Sequence, residues 1–141
     1  MQVRDKYTFP PDLYYTQTTH LWLRHDEDKT TLGLDCLALE TFGDIAYIAI
    51  QPVGTTVERG KPMGSVEAAK IVDDLISPIS GIIVAVNQDA LGAPETINGD
   101  GYGAGWLLKI EPTNWDADSA ELVHGDALSA WAESEVERLG E

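Results

Sequence analysis

Cysteine and basic residues are both scarce in this 141-residue chain, and it has no long apolar run. Cys36 is the only cysteine, which excludes an intramolecular disulfide and a thiolate zinc cage and fits a reducing compartment. It reads as a small packed residue rather than a nucleophile. Nine lysines and arginines face 24 aspartates and glutamates, a formal net charge of −15, which argues against binding nucleic acid or an anionic membrane surface. From Glu111 to the end nine acidic residues stand against Arg138 alone, a distribution that suits a solubilising or salt-adapted surface. Apolar stretches such as residues 82–86 are far too short to span a bilayer, and the mixed charges of residues 1–6 lead into Pro10-Pro11 without a signal-like region. The expectation is a soluble, cytoplasmic, monomeric protein.

The usual marks of enzymatic or metal chemistry are also missing. His20, His25 and His124 are scattered, without metal-ligand spacing. Asp26-Glu27-Asp28 lacks the spaced oxygens and glycine of a calcium loop and reads as a solvated turn. There is no Gly-x-Ser-x-Gly elbow, and neither Ser65 nor Ser80 has an evident base. The glycine-rich run Asn98 to Gly105 feeds a strand instead of opening a helix and has no Gly-Lys-Ser/Thr, so it reads as a turn-rich loop and not a phosphate cradle. Trp22, Trp106, Trp115 and Trp131 are expected in core or edge packing. None of these features indicates hydrolase, phosphate-binding or metal chemistry.

What is present is a succession of short extended pieces. Residues 18–24 and 30–34 predict a hairpin across the turn at 26–29. Residues 37–42 predict a short helix stopped by Gly43, and residues 44–51 a strand ended by Pro52. Glycines then separate short pieces around 53–54, 60–64, 65–69 and 78–87, a spacing that argues for a compact antiparallel sandwich or barrel. Single helical turns are predicted at 88–91 and 94–98, a strand at 106–111, and an amphipathic helix at 126–139 whose apolar stripe should pack on the sheet. No repeat or linker divides the chain, so residues 1–141 read as one domain with a mainly β fold, short helices and a C-terminal helix.

Lys70 stands out against this background. It is one of five lysines, set in Val66-Glu67-Ala68-Ala69-Lys70-Ile71-Val72-Asp73-Asp74 between the extended pieces 65–69 and 78–87, and so is expected at an exposed hairpin tip. With Pro78 eight residues on and Gly81 eleven on, this frame resembles the lipoyl-attachment region of the glycine cleavage system H protein family. The resemblance extends over most of the chain: Thr19-His20-Leu21-Trp22, Gly43-Asp44-Ile45-Ala46-Tyr47-Ile48, Pro52-Val53-Gly54, Ser77-Pro78-Ile79-Ser80-Gly81, Pro94-Glu95-Thr96-Ile97-Asn98 and Tyr102-Gly103-Ala104-Gly105-Trp106.

The resemblance implies a carrier rather than an enzyme, with a lipoyl-domain fold of the hybrid barrel-sandwich type and a covalent lipoate on Lys70, and with Glu67 and Asp74 as acidic neighbours of the cofactor. It implies a lipoate-attaching enzyme, pathway enzymes and lipoamide dehydrogenase as partners. Lysine and lipoyl bond lengths together give a reach on the order of 10 to 15 Å. Ala69 and Ile71 flank the lysine where biotin carriers carry methionines, which favours lipoate over biotin. In glycine-cleaving members the residue between His20 and Trp22 is usually glutamate, placed near the cargo's amine, whereas here it is Leu21, which cannot pair a charge. Gly33-Leu34-Asp35-Cys36-Leu37-Ala38 also departs from the usual pattern. These departures resemble the H-like carriers of bacterial sulfur oxidation, which serve a heterodisulfide-reductase-like complex. Sulfur oxidation is therefore the expected pathway, with glycine cleavage as the alternative and an unlipoylated interaction module as a third reading.

Overall fold

The computed structural model describes residues 1–140. The N-terminal arm is a miniature hairpin, β1 (Gln2–Val3) and β2 (Tyr7–Thr8), followed by β3 (Tyr14–Tyr15). Next come β4 (Leu21–Asp26) and β5 (Lys29–Leu34), antiparallel, with Asp26 opposite Lys29 and an exposed two-residue turn at Glu27-Asp28. The expected hairpin is present, but β4 starts at Leu21 and not at Thr18. His20 takes a left-handed φ of 58°, which no regular strand contains.

Helix α1 (Cys36–Phe42) begins where the Asp35 carboxylate accepts the N–H groups of Leu37 and Ala38, satisfying two of the helix's free donors. It ends at Gly43, as its sequence predicts. Strand β6 (Ile45–Ile50), the short β7 (Thr56–Val57) and β8 (Pro62–Ala68) follow.

The main departure comes after Lys70. Val72–Ile76 forms a further strand, β9, so the arm that returns from the lysine tip is β9 and not residues 78–87. Asp73-Asp74 disguises this strand, because consecutive aspartates are poor strand formers and β9 owes its conformation to pairing with β8. Beyond it lie β10 (Gly81–Val86), the single-turn helices α2 (Gln88–Gly92) and α3 (Glu95–Gly99), and β11 (Leu108–Pro112). Helix α4 (Trp115–Ser119), not predicted, precedes a short 3-10 turn and the C-terminal helix α5 (Leu128–Leu139).

The strands form a six-stranded sheet in the order β3-β4-β5-β11-β10-β7 and a three-stranded sheet β6-β8-β9. All the assigned pairings are antiparallel. The inward residues of both sheets meet in one core: Leu21, Leu23, Leu32, Leu34, Ile83 and Ile110 from the larger sheet, and Ile45, Ile48, Met63, Val66 and Leu75 from the smaller. Burial of such side chains supplies about 1.5 to 3 kcal/mol each.

A second core gathers Leu128, Ala132 and Val136 of α5 with Tyr7, Phe9, Leu13, Tyr15, Trp22 and Leu37. The helix meets the sheet through Tyr15 and Trp22, as expected, but the N-terminal arm and α1 supply much of what it packs on. Trp22 is fully buried, donates its indole N–H to Gly101 O at 2.8 Å, and sits opposite Gly33 in the hairpin. Trp115 stacks on His25 and Trp131 on His20, so these rings are packing elements. No helix of the described residues is long and apolar enough to cross a membrane.

Candidate functional site

Lys70 lies at the turn between β8 and β9, exposed, and within the described residues its ammonium makes no hydrogen bond or ion pair. The backbone around it is held firmly. The N–H of Ala68 donates to Ile71 O at 2.8 Å across the tip, that of Ala69 to Asp44 O at 3.0 Å, and that of Lys70 to Phe42 O at 2.9 Å. The tip is thus fastened to the connection between α1 and β6, and only the side chain is left free.

Gly43 makes this close approach possible. Its φ of 74° with ψ of −167° is a region nearly restricted to glycine. A Cβ there would stand 3.1 Å from Ala69 Cβ and 3.4 Å from Lys70 Cγ. The lysine stem therefore crosses the space a side chain would occupy.

Beside the tip runs a groove of about 320 Å³. Ile71, the residue after Lys70, lies at its lip; Phe42, Val66, Leu75 and Leu21 give it an apolar lining; Asp73 and Asp74 stand on one wall, and His20 and Arg138 also line it. An apolar channel with a carboxylate wall suits a hydrocarbon arm whose outer end carries polar or cationic cargo.

The sequence-predicted residues divide here. Asp73 and Asp74 both border the groove beside the Lys70 tip. In strand register Asp73 shares the inner face with buried Val66, whereas Asp74, paired with Ser65, shares the outer face with Glu67. Glu67 stands opposite Tyr47 on β6 and Val72 on β9 and does not line the groove. Leu21 lines the groove but is only 1% exposed and belongs to the main core. Leucine at this position serves packing, which weakens it as a sign of what the arm carries.

Sequence reasoning missed a buried polar cluster at the groove's end. His20 Nδ1 lies 2.8 Å from Asp35 Oδ2, and its Nε2 2.9 Å from Glu135 Oε1, which Arg138 also meets at 2.7 Å. Burial opposes charge on His20, but the hydrogen bonds and charges of Asp35 and Glu135 outweigh it and raise its pKa above 6.5. Burial likewise pushes the Asp35 carboxyl up, against His20 and the two amides it caps. The Arg138 hydrogen bond pulls Glu135 down. The cluster ties β4, α1 and α5 together, and the sequence holds no local signal for it beyond the helix-starting aspartate.

Cys36 is half-buried, and burial pushes its thiol up to about 11, which fits packing rather than nucleophilic reactivity. No trio of histidine, cysteine or acidic side chains in the described residues is arranged to hold a metal.

A β-rich domain that presents one free lysine on a rigid hairpin tip beside an apolar groove is a carrier domain of the lipoyl class. Residues 13–135 match the profile of the family described as glycine cleavage H-protein. The chain is 42% identical over 125 residues to the glycine cleavage system H protein of Synechococcus sp. (strain JA-3-3Ab), an alignment covering 89% of this chain and 95% of that protein. It is 37% identical over 127 residues to the namesake from Magnetococcus marinus, covering 90% and 89% respectively. The crystal structure of the Mycobacterium marinum glycine cleavage system H protein superposes with a TM-score of 0.75 at 36% identity, covering 90% of this chain and 98% of that one.

The chain belongs to the glycine cleavage H-protein family, and it is a lipoyl carrier of that type with the mainly β fold expected. These relatives favour glycine cleavage over sulfur oxidation with a heterodisulfide-reductase-like complex, the pathway suggested by Leu21 and the Gly33–Ala38 stretch.

Proposed function

We propose that Lys70 carries lipoate through an amide on Nζ and that the protein conveys an aminomethyl group between the enzymes of glycine cleavage, with lipoamide dehydrogenase reoxidising the arm. The observation that carries this reading is the free Lys70 amine at a tip whose backbone is bonded to Phe42 and Asp44, beside an apolar groove. When attached, the lipoyl group supplies a dithiolane that opens readily, because its ring holds the disulfide far from the dihedral near 90° preferred by a relaxed one.

The chain's own residues provide the rest. The stapled tip fixes the root of the arm, so the reach is spent on travel between sites and not on wandering of the loop. The groove lined by Phe42, Val66 and Leu75 covers apolar parts of a folded-back arm. Asp74 and Asp73 set negative charge along the wall where Leu21 offers none, so the groove retains acceptors for a cationic amine. Glu67, on the outer face, belongs to recognition of the tip by partner enzymes and not to the groove.

Expression with a lipoylating system should add one lipoyl group to the intact mass, and Lys70→Arg should abolish the gain. A lipoyl group on the Lys70→Arg chain would refute the site, and an unmodified wild-type chain would favour an interaction module. Incubating the lipoylated protein with purified glycine decarboxylase and glycine should load the arm. Failure to load, in an assay where a glycine cleavage H protein does load, would sink the pathway assignment.

A further inference from the structure

Tyr47 is 55% and Val72 77% exposed, two of the four large apolar side chains left open to solvent among the described residues. They are not scattered. Tyr47 pairs with Glu67, and Glu67 pairs with Val72, so the three form one cross-strand row on the outer face of β6-β8-β9, next to the Lys70 turn. Directly opposed side chains in such a row stand about 5 Å apart.

The backbone aims this row deliberately. Between Ile45 and Tyr47 the register with β8 slips, which makes Ala46 a bulge residue. In a regular strand Ile45 and Ile48, three apart, would point to opposite faces. With the bulge both are buried, and Tyr47 is turned outward beside Glu67. Strands β6, β8 and β9 contain no basic residue, whereas Glu67 and Asp74 lie on them and exposed Asp44 precedes β6. The face is an apolar pair in an acidic surround, and the only nearby cation in the hairpin sequence is Lys70.

Which partner it fits follows from reach. The lysine amine stands on the order of 6 Å from its Cα, whereas a lipoylated arm extends on the order of 10 to 15 Å. Enzymes that use the arm can stand off from the hairpin by that longer distance. The enzyme that acylates the bare lysine cannot, and must cover the surface around the tip. We propose that the Tyr47–Glu67–Val72 row is the docking face for the lipoate-attaching enzyme, met by a mouth with an apolar seat for Tyr47 and Val72 and basic side chains around it. This rests on Lys70 being the lipoylated residue.

The step served is balanced as follows. The deprotonated Lys70 amine attacks the carbonyl carbon of lipoyl adenylate, which the enzyme makes from lipoate and ATP. The new C–N bond forms as the C–O bond to phosphate breaks; AMP departs with that electron pair, and the amine's second proton passes to solvent.

The test is initial-rate lipoylation with a purified lipoate–protein ligase, free lipoate and ATP, read by intact mass. Tyr47→Ser/Val72→Ser should lower kcat/KM at least tenfold with an unchanged circular dichroism spectrum. Tyr47→Phe and Val53→Ser, the latter at a 60% exposed apolar residue outside the row, should stay within twofold of wild type. Added salt should lower the wild-type rate. Once driven to full lipoylation, the double variant should be reduced by lipoamide dehydrogenase and NADH, which gives up two electrons to the dithiolane and leaves as NAD+, at the wild-type rate, because that enzyme meets the arm and not the row.

A double variant lipoylated as fast as wild type overturns the docking face, as does one that loses reduction as severely as lipoylation. Should the double variant misfold, Val72→Thr, which keeps the side chain's shape, takes its place, and a wild-type rate for that variant and for Tyr47→Ser alone overturns the proposal equally. A wild-type chain that gains no lipoyl group defeats the function proposed above and this docking face together; a lipoylated wild type with unaffected variants defeats only the docking face.

Discussion

The backbone N–H of Lys70 donates to the carbonyl of Phe42 at 2.9 Å, which joins the arm's root to the end of the helix α1. With Ala69 bound to Asp44 on the next residue, the hairpin tip is braced from outside its own two strands. The lysine is therefore presented from a fixed point, and Gly43 between the two acceptors is the position on which that presentation depends.

Gly43→Ala tests this dependence. The backbone at φ 74° and ψ −167° disfavours any side chain, and the new methyl would press on Ala69 and the Lys70 stem. The expected loss is about 1 to 3 kcal/mol in urea unfolding, with slower lipoylation of the folded protein. Unchanged stability and rate would show that the brace is not needed.

Gly33 and Trp22 make a second tight pair. A Cβ on Gly33 would fall 2.5 Å from the Trp22 indole, which is fully buried and cannot step aside. Gly33→Ala should cost about 1 to 3 kcal/mol by overpacking and should alter the near-UV circular dichroism of the displaced indole.

The His20 cluster makes stability depend on pH in a predictable sense. The folded pKa of His20 is raised above 6.5, so its contribution is fully present below pH 6.5 and is lost as pH rises through the folded value. Asp35, also raised, acts in the same sense. The melting temperature should therefore decline as pH rises from 6.5 through the raised folded pKa of His20, and His20→Gln should flatten that slope. Asp35→Ala removes both the buried partner of His20 and the cap of α1, for a loss of about 3 to 5 kcal/mol. Asp35→Asn keeps the cap and should cost less.

Asp73, paired with buried Val66 and lining the groove, provides a functional test that leaves attachment untouched. Asp73→Asn should be lipoylated at a rate near wild type, yet release aminomethyl cargo on the order of two- to fivefold faster, the scale of an exposed charge pair. Release followed by mass spectrometry at low and high salt checks this, since salt should erase the difference between the two proteins.

Much of this arrangement was legible before any coordinates. Helix α1 could be read from Leu37 to its stop at Gly43, the β4-β5 hairpin from its alternation, and Lys70 from the frame around it. Strand β9 was not legible, because Asp73-Asp74 has neither the composition nor the alternation of a strand and becomes one only by pairing with β8. Leu21 misled for a related reason. Taken alone it is an acceptor lost from a cargo site, whereas in the fold it is a core residue.

By itself the sequence determined most of the elements, the β-rich class and which lysine the hairpin tip presents, because hydrophobic period, glycine stops and a local frame are properties of neighbours along the chain. Only the tertiary structure decided which side of the hairpin each acidic residue serves, since strand register sets Asp73 opposite the buried Val66 and pairs Asp74 with Ser65 on the face that carries Glu67. It alone brought His20, Asp35 and Glu135 together, 15 and 115 residues apart from the histidine. Contacts over such separations are made by packing, and packing leaves no periodic trace in a sequence.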